Sequence, residues 1–358
     1  MRARGSVLVA MSGGVDSSVA ACLLAEQGYE VVGSHMRLVH TAGVDHGCCG
    51  PGAEADARAV ADVAGFPFEV IDLSDTFERT VLADFFGEHG AGRTPNPCAR
   101  CNADIKFGAF LERAGQLGID RVATGHYVRT RRDPDGRWRL LRGADRSKDQ
   151  SYMLHMLGQE QLSRSLFPVG GQAKSATREQ ARRLGLPVAK KPDSQEVCFV
   201  PGADHTAFLE AHAPHLIREG EVVDASGRVL AHHGGTFRYT VGQRRGLGVS
   251  TGERTYVVDV DADAGRVYVG PEELLARRGL EADRVSWVGG DPPAEGPFEA
   301  AVRVRYRGPD AQGVIEPDGD RMRVEFRRPQ RAVAPGQSAV VYRGEEVLGG
   351  GRIVRAST

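Results

Sequence analysis

Residues 7–25 read VLVAMSGGVDSSVAACLLA: four apolar residues, a Ser-Gly-Gly turn, then an apolar-periodic run starting near Val15. A short apolar strand feeding a helix through glycines leaves the first helical N–H groups unpaired and aimed at whatever sits on the loop. That is a phosphate seat. A loop of the GxxxxGK[ST] kind also supplies a lysine after its second glycine. Here Ser12, Asp16, Ser17 and Ser18 surround the turn and no lysine follows. Glycines let the backbone close on phosphates while hydroxyls and helix N–H groups bond their oxygens. A carboxylate in that setting is expected to hold Mg²⁺, which falls to Asp16.

The rest of the first half alternates in the same way. Strands are expected over residues 7–10, 30–36, 68–71 and 121–124, and helices over 15–26, 53–64, 75–86, 103–117, 150–157 and 177–184. Such alternation implies a parallel sheet with helices on both faces, and ligands then sit beyond the carboxyl ends of the strands. Near Pro201 the pattern changes to short period-2 runs separated by turn pairs such as HHGG, DADAGR and EPDGDR, which read as antiparallel β-structure. The expected architecture is α/β: a Rossmann-like domain over 1–202, a small β-rich central domain over 203–277, and a C-terminal β-barrel over 278–358.

With 358 residues, 41% hydrophobic and 26% charged, and a net charge of −1, the composition is that of an ordinary globular protein and not of a polybasic one. Lysine occurs only at positions 106, 148, 174, 190 and 191 among 46 basic residues, read as composition bias. No targeting segment or run of eighteen apolar residues is visible, so a cytoplasmic protein with no membrane segment is expected.

Six cysteines without a secretory signal are expected to be reduced, with spaced pairs catalytic or metal-binding. TPNPCARCNADIKFGAF puts Cys98 and Cys101 in a Pro-rich loop before a helix expected from Ala103, and KPDSQEVCFVPG puts Cys198 after another polar loop. A helix N-terminus favours the thiolate. A zinc knuckle is the bland alternative, but adjacent Cys48 and Cys49 beside His46 pattern poorly as its second half. Cys22 reads as core, His232-His233 as a turn, and His126 either orients the nucleotide loop or simply packs. Arg303, Arg305 and Arg307 alternate on an expected strand and so would form one basic stripe, leaving Tyr306 on the opposite face. GQRRGLG reads as a solvated loop or a backbone-phosphate contact.

The glycine loop resembles that of enzymes that split ATP into AMP and pyrophosphate. AMSGGVDSSVAA, GRTPNPCARCNADIKFGAF, ATGHYVR, KDQSYML, KPDSQEVCFV and YTVGQRRGLG, in this order between residues 10 and 248, together resemble the bacterial tRNA-specific 2-thiouridylase family. The resemblance implies an ATP loop of Ala10, Met11, Ser12, Gly13, Gly14, Val15, Asp16 and Ser17, with Met36 and Gly125 also on the nucleotide. It implies that Asn96, Pro97 and Cys98 approach the target base, and that Lys148, Asp149, Gln150, Arg305 and Tyr306 contact tRNA. Cys101 would be the nucleophile and Cys198 the persulfide carrier. The family often has Asp where Cys98 stands, which leaves that residue's role open.

The implied reaction adenylates the C2 oxygen of the wobble uridine and displaces AMP with sulfur, splitting one hard step into two. The implied partners are tRNA and a sulfur carrier or cysteine-desulfurase relay. Beside this scheme stand an iron–sulfur cluster on Cys98, Cys101 and Cys198, a ligase with a nitrogen nucleophile, and a metal-containing RNA-binding module that merely binds nucleotide.

Overall fold

The computed structural model describes residues 4–39, 50–193, 197–200, 202, 204–249 and 252–358. Cys48, Cys49 and His46 lie outside the described residues. The first domain opens with β1 (Ser6–Ala10), α1 (Val15–Glu26), β2 (Glu30–Arg37), α2 (Pro51–Ala64) and β3 (Phe68–Asp72), and later adds β4 (Arg121–Ala123). β1 pairs in parallel with β2 on one side and β4 on the other, and β2 pairs in parallel with β3. Val7, Leu8 and Val9 are fully buried. Leu8 feeds the core on one face with Phe107, Phe110 and Val122. Val7 and Val9 feed the other with Val19, Ala20 and Val60. An all-apolar strand is what a sheet covered on both faces requires.

Two helices carry wider turns. α3 spans residues 74–90 and is π-wound over Glu78–Leu82. α4 spans residues 97–116 and is π-wound over Cys101–Ala109. π-turns concentrate at functional sites because they displace side chains from the regular helical faces. α4 begins six residues before the expected start at Ala103: Pro97 occupies its first turn and Asn96 caps it, Oδ1 accepting from the Ala99 amide at 3.3 Å. Cys98 and Cys101 are therefore inside the helix and not in a loop before it. Proline and asparagine, read as loop signals, are here helix-start signals.

Beyond β4 the chain makes an antiparallel hairpin, β5 (Val128–Arg132) and β6 (Trp138–Arg142), unforeseen because its strands are rich in arginine. The helix expected over 150–157 is only a 3-10 turn, Ser151–Leu154. α5 (Gln159–Ser163), β7 (Ser165–Leu166) and α6 (Lys174–Arg183) follow, and β7 completes the sheet order β3-β2-β1-β4-β7.

After α7 (His205–His212) come β8 (Gly220–Val223), β9 (Val229–His233), β10 (Tyr256–Asp261) and β11 (Arg266–Gly270), a four-stranded sheet over a core of Val222, Val257, Val267 and Val269. The C-terminal part is β12 (Ala276–Trp287), β13 (Phe298–Arg303), β14 (Ala311–Asp318), β15 (Arg321–Arg331), β16 (Ser338–Arg343) and β17 (Glu346–Ser357), in the order β12-β15-β14-β13-β16-β17. β12 also pairs with β17, which closes six strands into a barrel. The β5–β6 hairpin extends this barrel sheet, Leu140 and Leu141 pairing with Val347 and Glu346. Among the described residues no helix is long and apolar enough to cross a membrane.

Candidate active site

The Ser12–Gly14 turn lies at the carboxyl end of β1, where the sheet order runs outward to β2 on one side and β4 on the other. This is the switch point at which open α/β sheets bind ligands. Gly13 has φ +63, and a Cβ there would lie 2.4 Å from the Ala53 carbonyl oxygen, so only glycine fits. Gly14 starts α1 without a side-chain cap. The Ser17 hydroxyl accepts from the Ser12 amide at 3.2 Å, and Ser18 Oγ donates to the Gly14 carbonyl at 2.8 Å. These two hydroxyls brace the loop from beneath. Gly125, just past β4, packs on the first turn of α1; a Cβ there would meet the Ser17 nitrogen at 2.5 Å. The resemblance-derived Gly125 and the loop are thus in contact.

The cation missing from the loop's own sequence arrives from elsewhere in the chain. Lys174, the first residue of α6, donates from Nζ to both carboxylate oxygens of Asp16, at 2.6 and 2.7 Å. Tyr127 OH donates to Asp16 Oδ1 at 2.8 Å and lies 2.9 Å from Thr177 Oγ1. Burial, reinforced by the Asp16 carboxylate, raises the Tyr127 phenol. Asp193 joins the same group, bonded by Lys148 at 2.9 Å, Lys174 at 2.9 Å and Arg178 at 2.5 Å. Burial would lift the Asp193 carboxyl, but the hydrogen bonds from Lys148 and Lys174 hold it down at about 2. Lys191 donates to the Gly13 carbonyl at 3.0 Å and to Asp56 at 2.6 Å.

At rest an ammonium and a phenol take the oxygens of Asp16, the residue expected to hold magnesium. The iron–sulfur alternative would need Cys98, Cys101 and Cys198 together in one group. Cys98 is exposed, Cys101 buried and Cys198 half-buried. Among the described residues no three His, Cys, Asp or Glu side chains come together as a metal-holding group.

Cys101 and Cys198 do share surroundings. Both pack in one apolar cluster with Phe77, Phe85 and Phe199, and Met36 lies at its edge. Phe199 plugs edge-on into Phe77 and Phe85, with ring centroids 5.4 Å apart in each case. That anchor sets the position of Cys198 beside it. A cavity of about 290 Å³ lined by Phe86, His89, Leu216 and Phe237 contains none of the expected site residues.

The segment before Cys98 is held by the barrel. Thr94 N–H donates to the Pro335 carbonyl at 2.8 Å. Gln337 Nε2 donates to the Thr94 and Pro95 carbonyls at 3.0 and 3.2 Å, and Asn96 Nδ2 donates to Ser338 Oγ at 3.4 Å. The central domain adds Thr240, hydroxyl to hydroxyl with Thr94 at 3.0 Å. A second seam joins Glu88, 3% exposed, to Arg93 at 2.6 Å and to Arg352 of β17, which also bonds Asp283 at 2.8 Å.

Lys148, Asp149 and Gln150 reach in three directions. Lys148 reaches Asp193. Asp149, 7% exposed, accepts from the amides of Gly143 and Ser151 at 3.0 and 3.1 Å and lies 3.7 and 3.8 Å from Arg142 and Arg303. Gln150 Oε1 accepts from the Tyr127 amide at 2.9 Å. The expected basic stripe is corrected: β13 ends at Arg303, whose guanidinium bonds Asp310 at 2.8 Å, while Arg305 and Arg307 are exposed in the turn beyond. That turn also frees Tyr306 from strand alternation. Burial raises its phenol, with the Asp149 carboxylate and Cys98 near enough to add to the effect. His126 is buried and bonds Thr124 Oγ1 at 2.8 Å. Cys22 is core, where burial pushes its thiol up to about 11 and removes its nucleophilicity.

Sequence reasoning missed Tyr127, Lys174, Arg178, Lys191 and Asp193. One signal was present: in a chain that uses arginine almost throughout, three of its five lysines gather on one loop.

Family models match along the chain: the tRNA methyl transferase HUP domain over residues 5–202, its PRC-barrel domain over 206–271, and the aminomethyltransferase beta-barrel domain over 277–353. The tRNA-specific 2-thiouridylase MnmA of Geobacter metallireducens is 49% identical, covering 100% of this chain and 99% of that protein. Those of Heliobacterium modesticaldum and Acidothermus cellulolyticus are 48% and 47% identical, each over 98% of this chain and over 92% and 97% of their own lengths. With relatives this similar from end to end, the chain belongs to the tRNA-specific 2-thiouridylase family.

Proposed function

We propose that this protein is an ATP-dependent tRNA sulfurtransferase that replaces the C2 oxygen of the wobble uridine with sulfur. The observation that carries the reading is full-length similarity to proteins named tRNA-specific 2-thiouridylase, in a chain whose glycine loop opens at the sheet's switch point. Ala10 to Ser17, with Gly125 packed on the helix start, would seat the nucleotide, and Met36 would flank its base. The uridine C2 oxygen attacks the α-phosphorus, the α–β bridging bond breaks, and pyrophosphate leaves with the electron pair. AMP, now carrying that oxygen, becomes the leaving group.

The terminal sulfur of a Cys198 persulfide then attacks C2 and AMP departs. The Cys101 thiolate attacks Cys198 Sγ, breaking the S–S bond, leaving sulfur on the base and forming a Cys101–Cys198 disulfide. In a second route Cys101 first releases hydrosulfide, which attacks C2. Either route ends in the same disulfide, which a thiol reductant must reopen, and a sulfur-donating partner must recharge Cys198. Placement of both cysteines in one apolar cluster supports this division of labour.

The wobble base has to leave its stack to reach the site. We assign its reception to Asn96, Pro97 and Cys98, with Arg305 and Tyr306 beside them. Lys148, Asp149 and Gln150 would serve tRNA indirectly, by holding the turn between the ATP loop and the barrel. We keep the division into 1–202, 203–277 and 278–358 for this scheme and assign the enzyme to the cytoplasm, where it would meet tRNA. Mass spectrometry of tRNA nucleosides after incubation with ATP, Mg²⁺ and a sulfide source tests the reading. 2-Thiouridine is expected with the wild type and not with Cys101→Ser or Cys198→Ser; thiolation in either variant would end the scheme.

A further inference from the structure

We propose that Lys174 is the polyphosphate-binding cation of this site, its ammonium resting on Asp16 until ATP arrives and then taking the charge of the departing pyrophosphate. The inference rests on the ATP reading above and goes beyond it by assigning the charge that the glycine loop lacks.

The position of Lys174 is electrostatically unusual. It is the first residue of α6, behind Ala173, which offers no side-chain cap. A cation there meets the positive end of the helix, which the Asp145 carboxylate on the Lys174 amide only partly offsets. Its side chain is only 10% exposed, so water does little to relieve it. Asp16 and Asp193 offset that cost at 2.6–2.9 Å. Asp16 is the second residue of α1, two residues beyond Gly14. The ammonium is thus parked within a side-chain movement of the N–H groups that open α1.

The wider group is dense in charge. Lys148, Lys174, Arg178 and Lys191 face the carboxylates of Asp16, Asp56 and Asp193, and the Asp145 carboxylate accepts from the Lys174 amide at 3.0 Å. Four cations and four carboxylates balance at rest, so a polyphosphate would be bound by exchange, its oxygens replacing carboxylate oxygens on the cations beside the positive end of α1. The residue type fits as well. A compact ammonium with three rotatable donors can pass from a carboxylate to phosphate oxygens, whereas a planar guanidinium presents its donors in one fixed fork.

As the α–β bond breaks, negative charge grows on pyrophosphate, and a preplaced cation with little access to water stabilises it. No proton transfer is required: Lys174 keeps its three protons and exchanges one oxygen partner for another. Asp16 acts in this scheme as the resting place of the ammonium.

The test uses the full-length protein and calorimetric titration with ATP, AMP and inorganic pyrophosphate, together with tRNA-dependent pyrophosphate release. Lys174→Met is expected to weaken pyrophosphate binding and release by about 100-fold while AMP affinity stays within about two-fold, since AMP lacks the β and γ groups. Release near the wild-type rate, or equal losses for AMP and pyrophosphate, overturns the proposal and leaves Lys174 a structural ion pair. Should Lys174→Met fail to fold, Lys174→Arg keeps the charge. There, pyrophosphate affinity reduced about five-fold or more with AMP unchanged supports the assignment; unchanged values for both, or equal losses, overturn it. A wild-type protein that binds none of the three ligands refutes the ATP reading itself, an outcome distinct from a variant effect.

Discussion

Gly125→Ala probes the contact on which the nucleotide seat depends. A Cβ at this position would lie 2.5 Å from the Ser17 nitrogen and 2.7 Å from the Asp16 carbonyl carbon. Ordinary contact distances are about 3.5 Å, so one backbone must retreat by about 1 Å. The start of α1 has little room to do so, because Val15, Ser17, Ser18 and Val19 are all buried. Overpacking of this kind costs about 1–3 kcal/mol, measurable as a lower midpoint in urea unfolding. The larger effect falls on function. Displacing the first-turn N–H groups by about 1 Å spoils their alignment with phosphate oxygens and is expected to slow pyrophosphate release about 100-fold. Gly171→Ala is the control: it is exposed with nothing within 4 Å of the added carbon, so a change of no more than about 0.5 kcal/mol is expected. If Gly125→Ala keeps wild-type stability and ATP affinity, the close approach has no consequence and the reasoning is refuted.

Arg352→Ala removes one cation from buried Glu88 and leaves Asp283 without its bidentate partner. A loss of about 3 kcal/mol in thermal unfolding is expected, and less than about 1 would mean that Arg93 alone satisfies the seam. Asn96→Ala deletes the cap of α4 and the bond to Ser338. It should cost about 1 kcal/mol and lower thiolation by shifting Cys98 and Cys101, so unchanged activity would count against a positioning role. Burial pushes the His89 and His155 imidazoles down to about 4, with His205 adding to the effect at His89. The unfolded chain therefore takes up their protons first as pH falls, and stability drops between about 6.5 and 4, by about 2 kcal/mol for each at pH 5. Equal urea midpoints at pH 7.5 and pH 5 would contradict that burial.

The helix starts show how local chemistry was read and misread. Glycines ahead of Val15 placed α1 correctly, since the phosphate-loop pattern, the helix start and the apolar run all lie within twenty residues. Asn96-Pro97 carries an equally local helix-start signal that also fits a loop, and only the structure puts both cysteines inside the helix. The β5–β6 hairpin escaped notice because its arginines find partners far away: Arg129 in Glu345, Arg139 in Glu346 and Arg142 in Asp310.

What the chain determined by itself was everything written in short-range terms. That covers the alternation that builds a parallel sheet, the glycines whose backbone angles no other residue adopts, the period-2 strands of the barrel, and the ordered motifs of the family. Tertiary structure alone decided which charges meet. Lys174 reaches Asp16 across 158 positions, and Gln337 grips the Thr94 carbonyl across 243. Pairings of this length leave no periodicity in the sequence, because they arise only when separate buried surfaces dock and bring polar groups within bonding distance of one another.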